Sequence, residues 1–146
     1  MMQVVKNIRT DIEMTRFENN ISLLKNSLSY ESSNSDRKIA LSTMEGINFE
    51  RIQNIISLEA KGNYTMLFFT GKRKLLVCKT LRDMENQLHT GSQFVRIHRS
   101  YTINLNYLQK YVKGKGGYVI LENGIMINVS SGKKQGFLDA LKIYFG

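Results

Sequence analysis

One cysteine in 146 residues leaves no partner for an internal disulfide. Cys78 closes the apolar run Leu75-Leu-Val-Cys78, which reads as a buried strand thiol rather than a nucleophile. Histidine is nearly as scarce, with only His89 and His98, and no Cys-x-x-Cys pair or His-Glu-x-x-His arrangement occurs. A metal held by protein ligands is therefore not expected, and neither is any cofactor. Nucleotide loops of the Gly-x-x-x-x-Gly-Lys-Ser/Thr and Gly-x-Gly-x-x-Gly types are missing, and Gly114-Lys-Gly-Gly117 reads as a hairpin turn. The twelve acidic residues are scattered, with no pair set for acid–base work or for holding magnesium. No apolar run approaches the roughly eighteen residues that span a bilayer. The start, Met1-Met-Gln-Val-Val-Lys6, lacks the apolar stretch of a signal peptide, so the cytoplasm is the expected location. Together these absences favour a binding protein over an enzyme.

What is present in excess is positive charge, a formal net of +9, and it is unevenly placed. Residues 1–36 hold four basic and five acidic side chains, so 17 basic and 7 acidic ones, a net of +10, fall in residues 37–146. A field of that sign attracts polyanions, nucleic acid first and anionic membrane lipid next. Binding to DNA through it would release condensed counterions and weaken steeply with salt.

The chain divides into 1–36, a helical arm and polar linker, and 37–146, a β domain. Residues 7–29 contain neither proline nor glycine. Met14, Phe17, Ile21, Leu24 and Leu28 follow the 3, 4, 3, 4 spacing of a heptad seam, which must meet another apolar surface. A second copy of the chain, giving a homodimer, and the following domain are both open as its partner. Tyr30-Glu-Ser-Ser-Asn-Ser-Asp36 is polar and aperiodic, as a linker is. From Arg37 onward short runs rich in β-branched and aromatic residues alternate with turn residues. Strands are expected at 51–59, 63–70, 73–79, 94–97, 101–105, 108–112, 118–122 and 125–129. Short connections between them imply antiparallel neighbours. Glu122-Asn-Gly-Ile125 offers the Asn-Gly pair of a type I′ hairpin, and Thr70-Gly-Lys72 is another reversal. Two short helices complete the pattern. Thr80 with Asp83 forms a capping-box variant ahead of Leu81, Met84 and Leu88. The last helix starts near Ser130 or Ser131 as cap and buries Phe137, Leu138, Leu141 and Tyr144.

Candidate contact residues cluster in three places. The first is Glu59-Ala-Lys-Gly-Asn-Tyr64, read as a loop between two strands. There Lys61 can neutralise a phosphate and Asn63 can bond an adenine edge, although such residues also suit a turn for conformational reasons alone. The second is Phe94-Val-Arg-Ile-His-Arg-Ser-Tyr-Thr-Ile-Asn104. Its alternation sets Val95 and Ile97 on one face and Phe94 and Arg96 on the other, while His98 and Arg99 arrive where the strand meets a loop. Arg99 is the strongest candidate for a forked contact with phosphate or with guanine. Arg96 either meets a phosphate or pairs with an acid such as Glu59, His98 either reaches a partner or bonds the backbone, and Ser100 orders the turn. The third is Lys133 and Lys134 in the first turn of the last helix, where the helix dipole disfavours cations unless an anion binds. Two solvated lysines explain that pair equally well.

From about Arg37 to Phe145 the chain resembles the LytTR DNA-binding domain of bacterial transcriptional regulators. The carriers are Ile56-Ser-Leu-Glu-Ala-Lys-Gly-Asn-Tyr64, Thr80-Leu-Arg-Asp-Met-Glu85, the run from Phe94 to Asn104, and Glu122-Asn-Gly-Ile-Met-Ile-Asn-Val-Ser130, in the family's order. The resemblance implies a mostly β, elongated antiparallel fold with two short helices, here preceded by the N-terminal helix. It implies loops inserted into successive major grooves of double-stranded DNA, commonly on paired direct repeats in promoters. The family's contacting loops fall at Asn63 and Tyr64, at His98 and Arg99, and at the start of the last helix. Ser131 and Gly132 stand where the family usually has an arginine, so Lys133 or Lys134 would have to supply that cation. The stretch 1–36 is too short for the receiver domain that many family members carry; if the chain is full-length, no switching by its own aspartyl phosphorylation is expected, and if it is a fragment, the helix is the tail of another segment. The rival reading is a protein-interaction module whose basic β domain no longer reads DNA.

Overall fold

A computed structural model describes residues 37–88 and 93–146. The expected helix over 7–29, with its seam residues Met14, Phe17, Ile21, Leu24 and Leu28, and the linker over 30–36 lie outside the described residues. The chain divides into two compact units, the first ending at Gln53 and the second running from Asn54 to Gly146.

In the first unit, β1 (Lys38–Thr43) and β2 (Gly46–Arg51) form an antiparallel hairpin in unbroken register from Lys38↔Arg51 to Thr43↔Gly46. Thr43 ties the turn twice, its hydroxyl donating to the Gly46 carbonyl (3.0 Å) and accepting from the Glu45 amide (3.2 Å). Ile39, Ala40, Leu41 and Ser42 are buried in succession. This hairpin was not among the expected strands. The run 51–59, read as one strand, is split in the structure by a 3₁₀ turn over Ile52–Asn54. Gln53 and Asn54 carry neither a β-branched nor an aromatic side chain, so nothing there favours continuing a ladder.

The second unit holds two antiparallel sheets and two helices, so the chain is mostly β, as expected. A five-stranded sheet has the order β5-β4-β3-β7-β6, built from β3 (Ile55–Lys61), β4 (Tyr64–Phe69), β5 (Arg73–Val77), β6 (Phe94–His98) and β7 (Tyr101–Asn104). A three-stranded sheet has the order β10-β9-β8, from β8 (Leu108–Val112), β9 (Tyr118–Leu121) and β10 (Met126–Asn128). Helix α1 (Leu81–Leu88) packs on β3 and β4 and buries Leu81, Met84 and Leu88. Thr80 caps it through its hydroxyl, which accepts from the Asp83 amide at 3.1 Å. Helix α2 (Lys134–Phe145) sends Phe137, fully buried, into a core shared with Ile56, Ile103, Leu105, Val119 and Leu121. Apolar side chains from both sheets and one helix thus leave water together, which is the main drive for the arrangement.

Several local expectations change. Leu121 accepts from the Gly124 amide (2.8 Å) and donates to the Ile125 carbonyl (2.9 Å) in the β9–β10 turn. Of its residues only Gly124 takes a positive φ, 88°, so this is not the type I′ turn that Asn123-Gly124 suggested, which needs two such residues. Cys78 lies just past β5 and is half-buried rather than a buried strand thiol. Neither Ser130 nor Ser131 begins the last helix with a side-chain cap. A 3₁₀ turn over Ser131–Lys133 comes first, and the Ser130 hydroxyl makes no capping bond. Among the described residues no helix is long and apolar enough to cross a membrane.

Candidate nucleic-acid interface

The two-residue turn Gly62-Asn63 joins β3 to β4, with Lys61 and Tyr64 as the pair that closes it. Most of the expected loop 59–64 is therefore strand. Gly62 takes φ 63° at the first central position, where a left-handed residue lets a short turn follow the twist of the strands. Lys61, Gly62, Asn63 and Tyr64 are all exposed. Lys61 leans back to Glu59 (3.4 Å), and Glu59 also accepts from the Tyr101 hydroxyl at 3.0 Å. Burial first, then the hydrogen bond to Glu59 and its charge, hold the Tyr101 phenol above its ordinary pKa.

The β6–β7 turn stands beside the first. The Ala60 amide donates to the Ser100 carbonyl at 2.8 Å, and Glu59 pairs with Tyr101 in register. Turns 62–63 and 99–100 therefore occupy the same end of the five-stranded sheet. The second turn is tightly tied. His98 Nδ1 accepts from the Ser100 amide (3.1 Å), and the imidazole stands edge-on to the Tyr101 ring at 5.5 Å. Arg96 Nη1 donates to the Arg99 carbonyl (2.9 Å), while Nε and Nη2 grip the two oxygens of Glu85 at 2.6 and 3.1 Å. The acid that pairs with Arg96 is thus Glu85 on α1, not Glu59. The alternation along β6 holds, with Val95 and Ile97 on the core shared with α2. A register shift between Arg96 and His98 marks a bulge at Ile97, and such bulges re-aim the side chains that follow. Arg99 is exposed, and its guanidinium has no partner among the described residues.

The third cluster is tied to β6, because the Ser130 amide donates to the Ile97 carbonyl at 3.0 Å. Gly132, Lys133 and Gly136 then border a cleft of about 430 Å³ together with Glu85, Phe94 and Arg96. Lys133 is exposed, and no acidic residue lies in the first turn of α2 to offset it. Lys134 is half-buried, with its ammonium 3.4 Å from the Gly114 carbonyl of the β8–β9 turn.

Of the eight residues named from sequence, the structure sets Lys61, Asn63, Tyr64, His98 and Arg99 on two adjoining turns, while Lys133 borders the cleft along β6. Arg96 and Lys134 belong to the same region but are engaged with protein groups. Glu85 and Thr102, which complete the network around Arg96, were not singled out. Glu85 closes the Thr80–Glu85 motif, and that was the sole hint of it.

The family profile of the LytTr DNA-binding domain matches residues 45–142. The chain is 30% identical over 100 residues to the CO-responsive transcriptional regulator RcoM of Rhodospirillum rubrum, covering 68% of this chain and 42% of that protein. It thus spans about two-fifths of the length of that relative. The fold is similar to that of the LytTr DNA-binding domain of a Bacillus cereus protein described as a methyl-accepting/DNA response regulator. The TM-score is 0.61 at 24% identity, over 71% of this chain and 95% of that one.

Proposed function

This chain belongs to the LytTr DNA-binding domain family, and from that premise we propose that it is a bacterial transcription regulator reading double-stranded DNA by sequence. The observation that carries the reading is that two turns bearing exposed polar side chains adjoin at one end of the five-stranded sheet, with the start of α2 packed along the neighbouring edge strand β6. Asn63 and Tyr64 on the first turn, His98 and Arg99 on the second, and Lys133 at the start of α2 are the proposed contacts, with Lys61 on a phosphate. Arg99 supplies the fork suited to guanine O6/N7, and Asn63 the amide suited to adenine. Lys133 contributes charge without a fork, so base preference at that end should be shallow. Arg96, tied to Glu85, and Lys134, tied to Gly114, are the least free of the set to reach a phosphate. Paired direct repeats in promoters are the proposed target, with two copies joined through Met14, Phe17, Ile21, Leu24 and Leu28.

The test is a mobility shift with random-sequence duplex at two salt concentrations. Binding should weaken steeply with salt, with a logarithmic slope of about −0.9 per phosphate neutralised. Absence of binding at low salt would favour the interaction-module reading instead, which Ser131 at the usual arginine position supports.

A further inference from the structure

Helix α1 carries none of the proposed DNA contacts, yet one of its side chains is linked through Arg96 to the turn that bears Arg99. Glu85 Oε2 accepts from Arg96 Nε and from the Thr102 hydroxyl, both at 2.6 Å, while Oε1 accepts from Arg96 Nη2 at 3.1 Å. The forked grip leaves Arg96 Nη1 aimed at the Arg99 carbonyl, 2.9 Å away. We propose that Glu85 is a positioning residue for DNA recognition, fixing through Arg96 the backbone from which Arg99 projects. The inference rests on the DNA-binding reading and deepens it.

Four features support it. The pair is sheltered, with the Arg96 and Glu85 side chains 25% and 15% exposed, so salt that screens surface charges screens it less. Thr102 is fully buried and lies opposite Arg96 in the β6–β7 register, so the carboxylate is held from two strands. Arg99 is exposed and carries a long side chain with many rotamers, and recognition loses least entropy when the backbone beneath it is already set. An acid is also the wrong charge for a surface meant to meet phosphates, unless its work is done through a neighbour.

That last point makes the test one of sign. The wild-type full chain first selects a duplex from a random pool. Binding to that labelled duplex and to a shuffled one of equal length is then measured for Glu85→Gln, Glu85→Ala, Arg96→Ala, Arg96→Lys and Arg99→Ala. Removing a negative charge beside a polyanion should by electrostatics alone tighten binding. Positioning instead predicts that Glu85→Gln binds the selected duplex about tenfold more weakly, within the range of coupling inside one hydrogen-bonded network. The shuffled duplex and the salt slope should stay as in wild type. Glu85→Ala combined with Arg96→Ala should lose no more than the worse of the two alone.

Arg96→Lys keeps the charge and loses the fork, so it separates the roles even where Glu85 variants fold poorly. Loss of preference for the selected duplex supports positioning, and near-wild-type binding overturns it. Glu85→Gln binding as tightly as wild type, or tighter, while Arg99→Ala binds weakly, also overturns it. If Arg99→Ala itself binds as wild type, the contact assignment of Arg99 fails instead.

Discussion

Asn63 and Asn104 stand at opposite ends of the five-stranded sheet, and their surroundings could hardly differ more. Asn104 is fully buried, its amide donating to the Ile55 carbonyl at 2.8 Å and its oxygen accepting from the Asn106 amide at 2.9 Å. Beside it, Asn106 Oδ1 accepts from the Tyr144 hydroxyl and so ties the end of α2. Asn63 is exposed on a two-residue turn, with Lys61 and Arg99 near it. One amide closes a network inside the fold; the other has no hydrogen-bond partner among the described residues. A polar group satisfied within the protein is structural, whereas a set of exposed and unsatisfied ones on rigid strand ends is available to a ligand.

Substitutions at the two ends therefore separate stability from binding. Asn104→Ala should cost about 3 kcal/mol in urea unfolding, because it strands a buried carbonyl and an amide. DNA affinity per folded molecule should not change. Arg99→Ala should do the reverse, losing about 1–3 kcal/mol of binding and relaxing base preference with the unfolding midpoint unmoved. Gly62→Ala tests the turn beneath Asn63. Nothing lies within 4 Å of the added carbon, so only the positive φ resists it, and a thermal melt should show a loss of roughly 1 kcal/mol. Lys133→Ala should weaken all duplexes alike, by less than about 1 kcal/mol, and lower the salt slope by about one.

The smallest effect is one of pH. Since folding raises the Tyr101 pKa, the folded state favours the neutral phenol. That contribution is complete below the ordinary tyrosine value of about 10 and disappears as pH rises through the shifted one. Urea midpoints at pH 9 and pH 11 should therefore fall further in wild type than in Tyr101→Phe.

Much of the β architecture was legible because short β-branched and aromatic runs alternate with turn residues, a pattern that local sterics enforce. Strands β4 to β10 and both helices fall near the expected positions. The hairpin of β1 and β2 was not legible, since Lys38–Thr43 mixes apolar and small polar residues without clean alternation and is buried over successive positions. The β9–β10 turn was misread because an Asn-Gly pair permits two left-handed residues but does not require them. At the candidate interface, Arg99 and Asn63 were legible as polar residues at strand ends, while the acid facing Arg96 was not. Glu59 and Glu85 carry the same side chain, and the choice between them is made by how α1 lies on the sheet.

Composition, charge placement and turn chemistry were thus determined locally, because each depends on neighbouring residues and on a uniform physical preference. They specified a basic, mostly antiparallel β chain with polar residues at its turns. Which turns share one end of a sheet, which cations keep their charge free and which are already paired depend on strand order and register. Those come from burying several apolar faces at once, and only the folded tertiary structure decides them.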